Sequence, residues 1–305
     1  MNYNLITILG PTAVGKTKLA VQLAYYFNGE IISADSRQVY VGMDIGTGKD
    51  LADYFVDDFK IPYHLVDVIS PKEEFDLYKF TKLFYEAYNV IKKNKRTPFL
   101  VGGTGLYIHS ILTNYNLTDV DFNSIRAKEL SKLDNDSLRK ILLQSNKDLH
   151  NTTDLIEKER IIRAILIEEV KTKNTNQTNT IHPFVLGVYL DRNEIKKRIT
   201  ARLKERLKNG MIEEVEELLK QGITHEKLGF FGLEYKYVSL FLQNKLNYND
   251  MYQKLNSAIH NFAKKQMTWF RKIEKEGLQI HWLKGTDFET AKDLIEQEYL
   301  GNVNE

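Results

Sequence analysis

Leu5-Ile6-Thr7-Ile8-Leu9-Gly10-Pro11-Thr12-Ala13-Val14-Gly15-Lys16-Thr17 is the stretch that decides the fold class. Five apolar or β-branched residues run directly into a glycine turn and read as a buried strand. The turn, Gly10 to Thr17, fits the phosphate-loop pattern G-x-x-x-x-G-K-[ST]. Apolar residues at 19, 20, 23, 24 and 27 then recur at helical spacing. Strand, glycine loop and helix in that order place several backbone N–H groups, and the positive end of a helix, around one anion. Lys16 adds a full charge, and the Thr17 hydroxyl is placed to ligate Mg²⁺. The motif says that a di- or triphosphate is held, but not which molecule carries it.

Working outward, Glu30-Ile31-Ile32-Ser33-Ala34 and Pro98-Phe99-Leu100-Val101 read as further short strands, with a helix over Leu77–Lys93 between them. Alternating strands and helices predict an α/β fold, a phosphate-loop NTPase-like parallel sheet flanked by helices. From about residue 119 to 180 the pattern becomes all-helical, over Arg126–Leu133, Ser137–Gln144 and Leu155–Val170, and ends in the polar stretch Lys171–Thr180, which reads as a loop. Val185 to Leu190 returns to strand character. The expected organisation is therefore a core of 1–118 and 181–305, interrupted by a helical insert at 119–180. Asn193–Lys220 reads as one long helix with an apolar stripe stepping by four, and Asn256–Ile273 as another helix.

Composition narrows the classes. The chain has 305 residues, with 43 Lys plus Arg against 41 Asp plus Glu, a net charge of +2. Near-neutrality excludes a histone-like binder but leaves room for a local basic groove. There are no cysteines, which excludes disulfide scaffolds, thiolate zinc sites and thiol catalysis. No apolar run approaches the roughly 20 residues of a membrane helix. Met1 to Asn4 shows no basic signal-peptide start. A cytoplasmic protein without a membrane partner is expected.

A phosphate loop serves GTPases, ATP-driven motors and kinases, and transferases that cradle a diphosphate. Asn146-Lys147-Asp148-Leu149 approaches the guanine-reading N-K-x-D pattern, but its acid falls one position early. His64-Leu65-Val66-Asp67 is a weak candidate for a motor's acidic strand end and reads rather as a strand end or turn. More telling are Ile32-Ser33-Ala34-Asp35-Ser36-Arg37-Gln38-Val39-Tyr40, Gly42-Met43-Asp44-Ile45-Gly46-Thr47-Gly48-Lys49 and Val101-Gly102-Gly103-Thr104-Gly105-Leu106-Tyr107. Ligands of open parallel sheets bind at the carboxyl ends of strands, so these segments and the phosphate loop should face one crevice.

With these motifs the sequence resembles the tRNA dimethylallyltransferases. The likeness continues, in collinear order, through Asp191-Arg192, Arg198-Ile199, Arg202, Met211-Ile212-Glu213-Glu214-Val215 and Ala263-Lys264-Lys265-Gln266-Met267-Thr268-Trp269-Phe270-Arg271. The resemblance implies transfer of a dimethylallyl group from dimethylallyl diphosphate to N6 of adenosine 37 in tRNA. It implies Mg²⁺ as cofactor, and Asp35, Thr104, Lys16 and Arg202 as the catalytic set. Gly10, Pro11, Thr12, Ala13, Val14, Gly15, Lys16 and Thr17 would hold the diphosphate. The residue chemistry is compatible: the delocalised adenine amine is a poor nucleophile and needs a carboxylate to accept its proton. The alternative readings are a turn aspartate for Asp35, a helix cap for Thr104 and a surface charge for Arg202. On the RNA side the resemblance points to Asp35, Ser36, Arg37, Gln38, Thr104, Arg126, the run Glu159-Arg160-Ile161-Ile162-Arg163, Lys264 and Lys265. A base in a folded anticodon loop must be flipped out to react. An ion pair between Glu159 and Arg163, four apart, is the alternative use of those two charges. The absence of cysteine removes the zinc finger of eukaryotic members and implies a bacterial-type enzyme, expected to be a monomer. Gly232-Leu233-Glu234-Tyr235-Lys236 departs from the family's Gly-Tyr-Lys/Arg segment and carries no assigned role. A small-molecule kinase and a nucleotide-gated RNA-binding module are the competing readings.

Overall fold

The protein is described from a computed structural model covering residues 3–115, 124–145, 158–171 and 180–301. It opens with β1 (Leu5–Leu9), α1 (Lys16–Tyr26) and β2 (Gly29–Ala34). A 3₁₀ turn (Leu51–Tyr54) and a small hairpin, β3 (Phe55–Val56) with β4 (Phe59–Lys60), lead to β5 (Tyr63–His64). Then come α2 (Leu77–Lys93), β6 (Thr97–Gly102) and α3 (Gly105–Leu112). After the helical segment follow β7 (Pro183–Tyr189) and a run of helices. The described residues close with the parallel strand β8 (His281–Lys284), a helix, Phe288–Leu294, and a π-helical turn, Ile295–Leu300. The main sheet has six strands in the order β5-β2-β6-β1-β7-β8, and every pairing is parallel.

The strands read as continuous apolar runs because both faces are covered. Ile6, Ile8, Phe99, Val101, Phe184 and Leu186 point into one core with Leu19 and Leu23 of α1. Their neighbours Leu5, Leu9, Leu100 and Val185 point into the opposite core with Phe80, Phe84, Ile108 and Phe270. Asp76 caps α2 by accepting from Lys79 N at 2.8 Å, and Lys92 and Lys93 close its last turn, which complements the helix dipole.

The chain divides into two compact units, Met1–Asn114 with Ile181–Glu305, and Tyr115–Thr180. The second unit contains α4 (Ile125–Ser131), α5 (Asn135–Ser145) and α6 (Lys158–Lys171) around its own small core of Leu130, Leu138, Leu142, Ile161 and Ile165. The Asn146–Leu149 near-match and nearly all of the polar Lys171–Thr180 stretch lie outside the described residues.

The long helix expected over Asn193–Lys220 is two helices, α7 (Arg192–Lys208) and α8 (Met211–Lys220). Each four-residue step turns an α-helix about 40° past a full turn, so a stripe stepping by four drifts off any one face of a straight helix. The break at Asn209-Gly210 resets it, with Gly210 at φ 99°, a left-handed conformation suited to glycine. Ile199 and Leu203 of α7 and Met211 and Val215 of α8 then share one core. The short α9 (His225–Leu228), α10 (Leu233–Leu242) and α11 (Tyr248–Lys275) complete that layer. His64–Asp67 is no motor strand: β5 stops at His64, Leu65 and Asp67 adopt positive φ, and the Asp67 carboxylate takes the Lys49 ammonium.

Candidate active site

The carboxyl ends of β1, β2 and β6 open into one cavity of about 720 Å³. From β1 comes the phosphate loop. Gly15 sits at φ 92° and opens α1 with neither a side-chain cap nor an acid in the first turn, so no side chain claims the helix's leading N–H groups. Thr12, Ala13, Gly15, Lys16 and Thr17 line the cavity. Gly10, Pro11 and Val14 are buried behind them and serve the loop's shape. The Lys16 ammonium donates to Pro11 O at 2.6 Å. Burial lowers its pKa to about 8, opposed by Asp35 and reinforced by Arg202.

From β2 comes Asp35, which lines the cavity and accepts from Arg37 N at 2.9 Å. Its turn role therefore uses one oxygen and coexists with a place at the cavity wall. Ser36, Arg37 and Gln38 line the same wall. From β6 comes Thr104. It occupies the N-cap position of α3, yet its hydroxyl makes no capping bond; it accepts from Ser36 N at 3.0 Å and so ties the ends of β2 and β6 together. Arg202 reaches in from α7 and donates to Thr12 Oγ1 at 3.3 Å, so it is no surface charge. Burial and then Arg206 lower its pKa to about 10, against Glu234, Asp50 and Asp35. On α11, Lys265 lines the cavity, whereas Lys264 is exposed away from it.

The remaining candidates lie in the helical unit. Arg126, Glu159, Arg160 and Arg163 are exposed there. Arg126 is engaged by Glu169 at 2.7 Å and by Glu129 at 3.5 Å. One expectation is corrected: Ile161 is fully buried in that unit's core and serves the helix packing, while Ile162, partly buried, packs against the same core.

The sequence reading assigned no role to three residues that build this site. Gln266, buried on α11, accepts from Thr12 N at 2.8 Å and donates to Gly103 O at 2.9 Å, joining the phosphate loop to the end of β6. Its signal is a polar residue at a position in the apolar stripe of Ile259, Ala263 and Phe270. Glu214 of α8 accepts from the backbone N–H groups of Asp44, Ile45 and Gly46 at 2.8, 2.7 and 3.0 Å, and from the Tyr235 hydroxyl at 2.7 Å. It thereby pins the loop that brings Gly46, Thr47 and Gly48 to the cavity. Arg206, one turn beyond Arg202, lines the cavity while buried.

For a divalent cation, the oxygens on offer are Thr17, Asp35, Asp50 and Asp53, all in the cavity wall. No cluster of three or more acidic, His or Cys side chains is positioned to hold a metal among the described residues. This set fits Mg²⁺, which keeps several waters and is commonly held by one or two protein oxygens together with phosphate oxygens.

A phosphate loop on a parallel sheet, with an acid at the neighbouring strand end and an arginine reaching across, defines a phosphate-loop α/β protein equipped for chemistry beside a bound phosphate. The profile of the IPP transferase family matches residues 38–273, and that of the isopentenyl transferases matches 3–60. A tRNA dimethylallyltransferase of Syntrophotalea carbinolica is 51% identical over 289 residues, 93% of this chain and 95% of that one. One of Geotalea uraniireducens is 49% identical over 286 residues, 93% and 94% of the two chains. The solved tRNA isopentenylpyrophosphate transferase of Bacillus halodurans superposes with a TM-score of 0.71 at 29% identity, over 99% of this chain and 97% of that one. The chain belongs to the IPP transferase family, that of the tRNA dimethylallyltransferases. Among the described residues no helix is long and apolar enough to cross a membrane.

Proposed function

We infer that the protein transfers the dimethylallyl group of dimethylallyl diphosphate to N6 of adenosine 37 in tRNA and releases diphosphate, as a bacterial-type enzyme. The observation that carries this reading is the convergence of Lys16, Asp35, Thr104 and Arg202 on one cavity. The reaction breaks the allylic C1–O bond and forms an N6–C1 bond. Negative charge builds on the departing diphosphate, and Lys16, Arg202 and the leading N–H groups of α1 lie where they can stabilise it. The amine becomes acidic as it attacks, and Asp35 accepts its proton. Thr104 and Ser36 hold the Asp35 segment in place through their mutual hydrogen bond. Thr17, with Asp50 or Asp53, would hold Mg²⁺, which when bound neutralises diphosphate charge. Ser36, Arg37, Gln38 and Lys265 are assigned to the flipped adenosine and its flanking backbone. The helical unit, through Arg126, Arg160 and Arg163, is assigned to the anticodon stem-loop.

The test incubates the protein with unmodified tRNA, Mg²⁺ and dimethylallyl diphosphate, followed by mass spectrometry of the digested nucleosides. A product carrying the five-carbon group on adenosine 37 is expected. Unchanged adenosine, with the protein folded and both substrates bound, would reject the reading.

A further inference from the structure

The Gly232–Lys236 segment, which departs from the family pattern, acquires a role from where α10 places Glu234. Its carboxylate lies 3.5 Å from Arg206 Nη1, a distance too long for a strong charge-assisted bond. Arg206 Nη1 also donates to Gly46 O at 3.3 Å. Arg206 Nη2 has no hydrogen-bond partner, although the side chain is only 9% exposed. A buried guanidinium nitrogen without a partner is costly and calls for a functional account.

Gly48 marks where that nitrogen points. A Cβ built on Gly48 would fall 1.5 Å from Arg206 Nη2 and 3.1 Å from Arg202 Nη2, so the two guanidinium groups converge on one point of the cavity wall. Two like charges are thus held together beside one cavity, with Glu234 engaging Arg206 only loosely and Glu234, Asp50 and Asp35 acting on Arg202. Such an arrangement is unfavourable by itself and favourable once an anion arrives. The same cavity holds the phosphate loop.

We propose that Arg206 is a second diphosphate-binding arginine, acting beside Arg202, and that Glu234 is the counter-ion it exchanges for the ligand. This rests on the reading of the cavity as the allylic diphosphate site. In the ligand-free protein Glu234 holds Arg206 loosely; on binding, Nη2 donates to a terminal phosphate oxygen and the contact with Glu234 slackens. A side chain at Gly48, besides straining a backbone at φ +67°, would displace Arg206 Nη2 and crowd Arg202 Nη2.

The test uses the full chain with Mg²⁺, measuring inorganic diphosphate affinity by calorimetry and KM for each substrate. Arg206→Met should weaken diphosphate and raise the KM for dimethylallyl diphosphate about 10- to 100-fold, the factor carried by one charge-assisted hydrogen bond. The KM for tRNA should hold, and Arg206→Lys should recover part of the loss. Glu234→Gln, which frees the arginine, should tighten diphosphate a few-fold. Normal diphosphate affinity in a folded Arg206→Met, or weaker affinity in Glu234→Gln, would overturn the proposal and leave Arg206 as a support for the Gly46–Gly48 loop. Should Arg206→Met fail to fold, the Glu234→Gln measurement alone decides. If diphosphate affinity responds as expected while the wild-type protein prenylates no tRNA, the anion site stands and the proposed function falls.

Discussion

Lys16 is a buried cation whose charge is wanted only when phosphate is present. Its pKa of about 8, against 10.5 in the unfolded chain, sets two opposite pH dependences. Between these values the unfolded chain binds more protons, so Lys16's contribution to stability rises with pH. Diphosphate prefers the ammonium form. Relative to Lys16→Ala, which reports the ligand's own ionisation, diphosphate affinity should be level below about pH 8 and fall by up to tenfold per unit above it, as calorimetry on both proteins across pH 6–9.5 would read. Lys16→Ala should bind diphosphate weakly and without that inflection, and should lose transfer while remaining folded. An unchanged inflection in Lys16→Ala would assign it to another group. Asp35 is argued by charge rather than shape. Asparagine could keep the bond to Arg37 N but cannot take the amine's proton. Asp35→Asn should lose about 10²–10⁴ of the single-turnover rate with tRNA and diphosphate affinity little changed. A rate within a few-fold of the parent protein would make Asp35 a positioning residue only.

At the scale of elements, the arrangement depends on α8 starting anew after Gly210 rather than continuing α7. The break lets α8 present Glu214 to the loop of Asp44–Gly46, three of whose N–H groups it satisfies at once. Removing the acceptor leaves those donors to find water on a half-buried surface and leaves the hydroxyl of the buried Tyr235 without this partner. Glu214→Ala should cost roughly 2–3 kcal/mol. Urea unfolding would show this as a lower midpoint at unchanged slope. Because Gly46 and Gly48 lie in the cavity wall, the KM for dimethylallyl diphosphate should rise in the same variant. A loss of stability with unchanged KM would separate the anchor from the site. Gln266 plays the matching part on α11, holding the phosphate loop against β6 through two hydrogen bonds.

For the whole molecule, net charge is a poor guide to RNA binding. The total is only +2, but Lys16, Arg37, Arg202, Arg206 and Lys265 share one cavity, and Arg126, Arg160 and Arg163 lie on the helical unit. If three to five phosphates are neutralised, log affinity for tRNA should fall with log salt at a slope of about 2 to 4. A flat response between 50 and 200 mM salt would exclude that many phosphate contacts. The helical unit leaves and rejoins the core at Asn114 and Ile181, which are joined by two hydrogen bonds of 2.7 and 3.0 Å. Replacing residues 116–179 by a short Gly/Ser linker should therefore leave a folded core that binds diphosphate and has lost tRNA. Retained tRNA affinity would return the RNA site to the core.

Much of this was legible in one dimension. The phosphate loop and its strand and helix are local, because a strand, a glycine turn and a helix start need only neighbouring residues. The same is true of Leu77–Lys93, whose cap, Asp76, is the residue just before it and whose basic last turn is its own, and of the short apolar runs that became the buried strands. Asp35 and Thr104 were legible as strand-end residues, since a parallel sheet gathers its strand ends on one side. Other features needed long-range contacts. The pairing of Thr104 with Ser36 spans 68 positions, and that of Gln266 with Thr12 spans 254. Whether an arginine on α7 meets solvent or Thr12 depends on how a helix packs on a distant loop. Ile161 looked available because a motif carries no burial, and the core of the helical unit claimed it. The local code thus determined the class, the opening strand, glycine loop and helix, and the apolar runs of the central strands. Tertiary packing alone decided which charges were buried together, because desolvation and like-charge proximity depend on distances in space that spacing along the chain does not set.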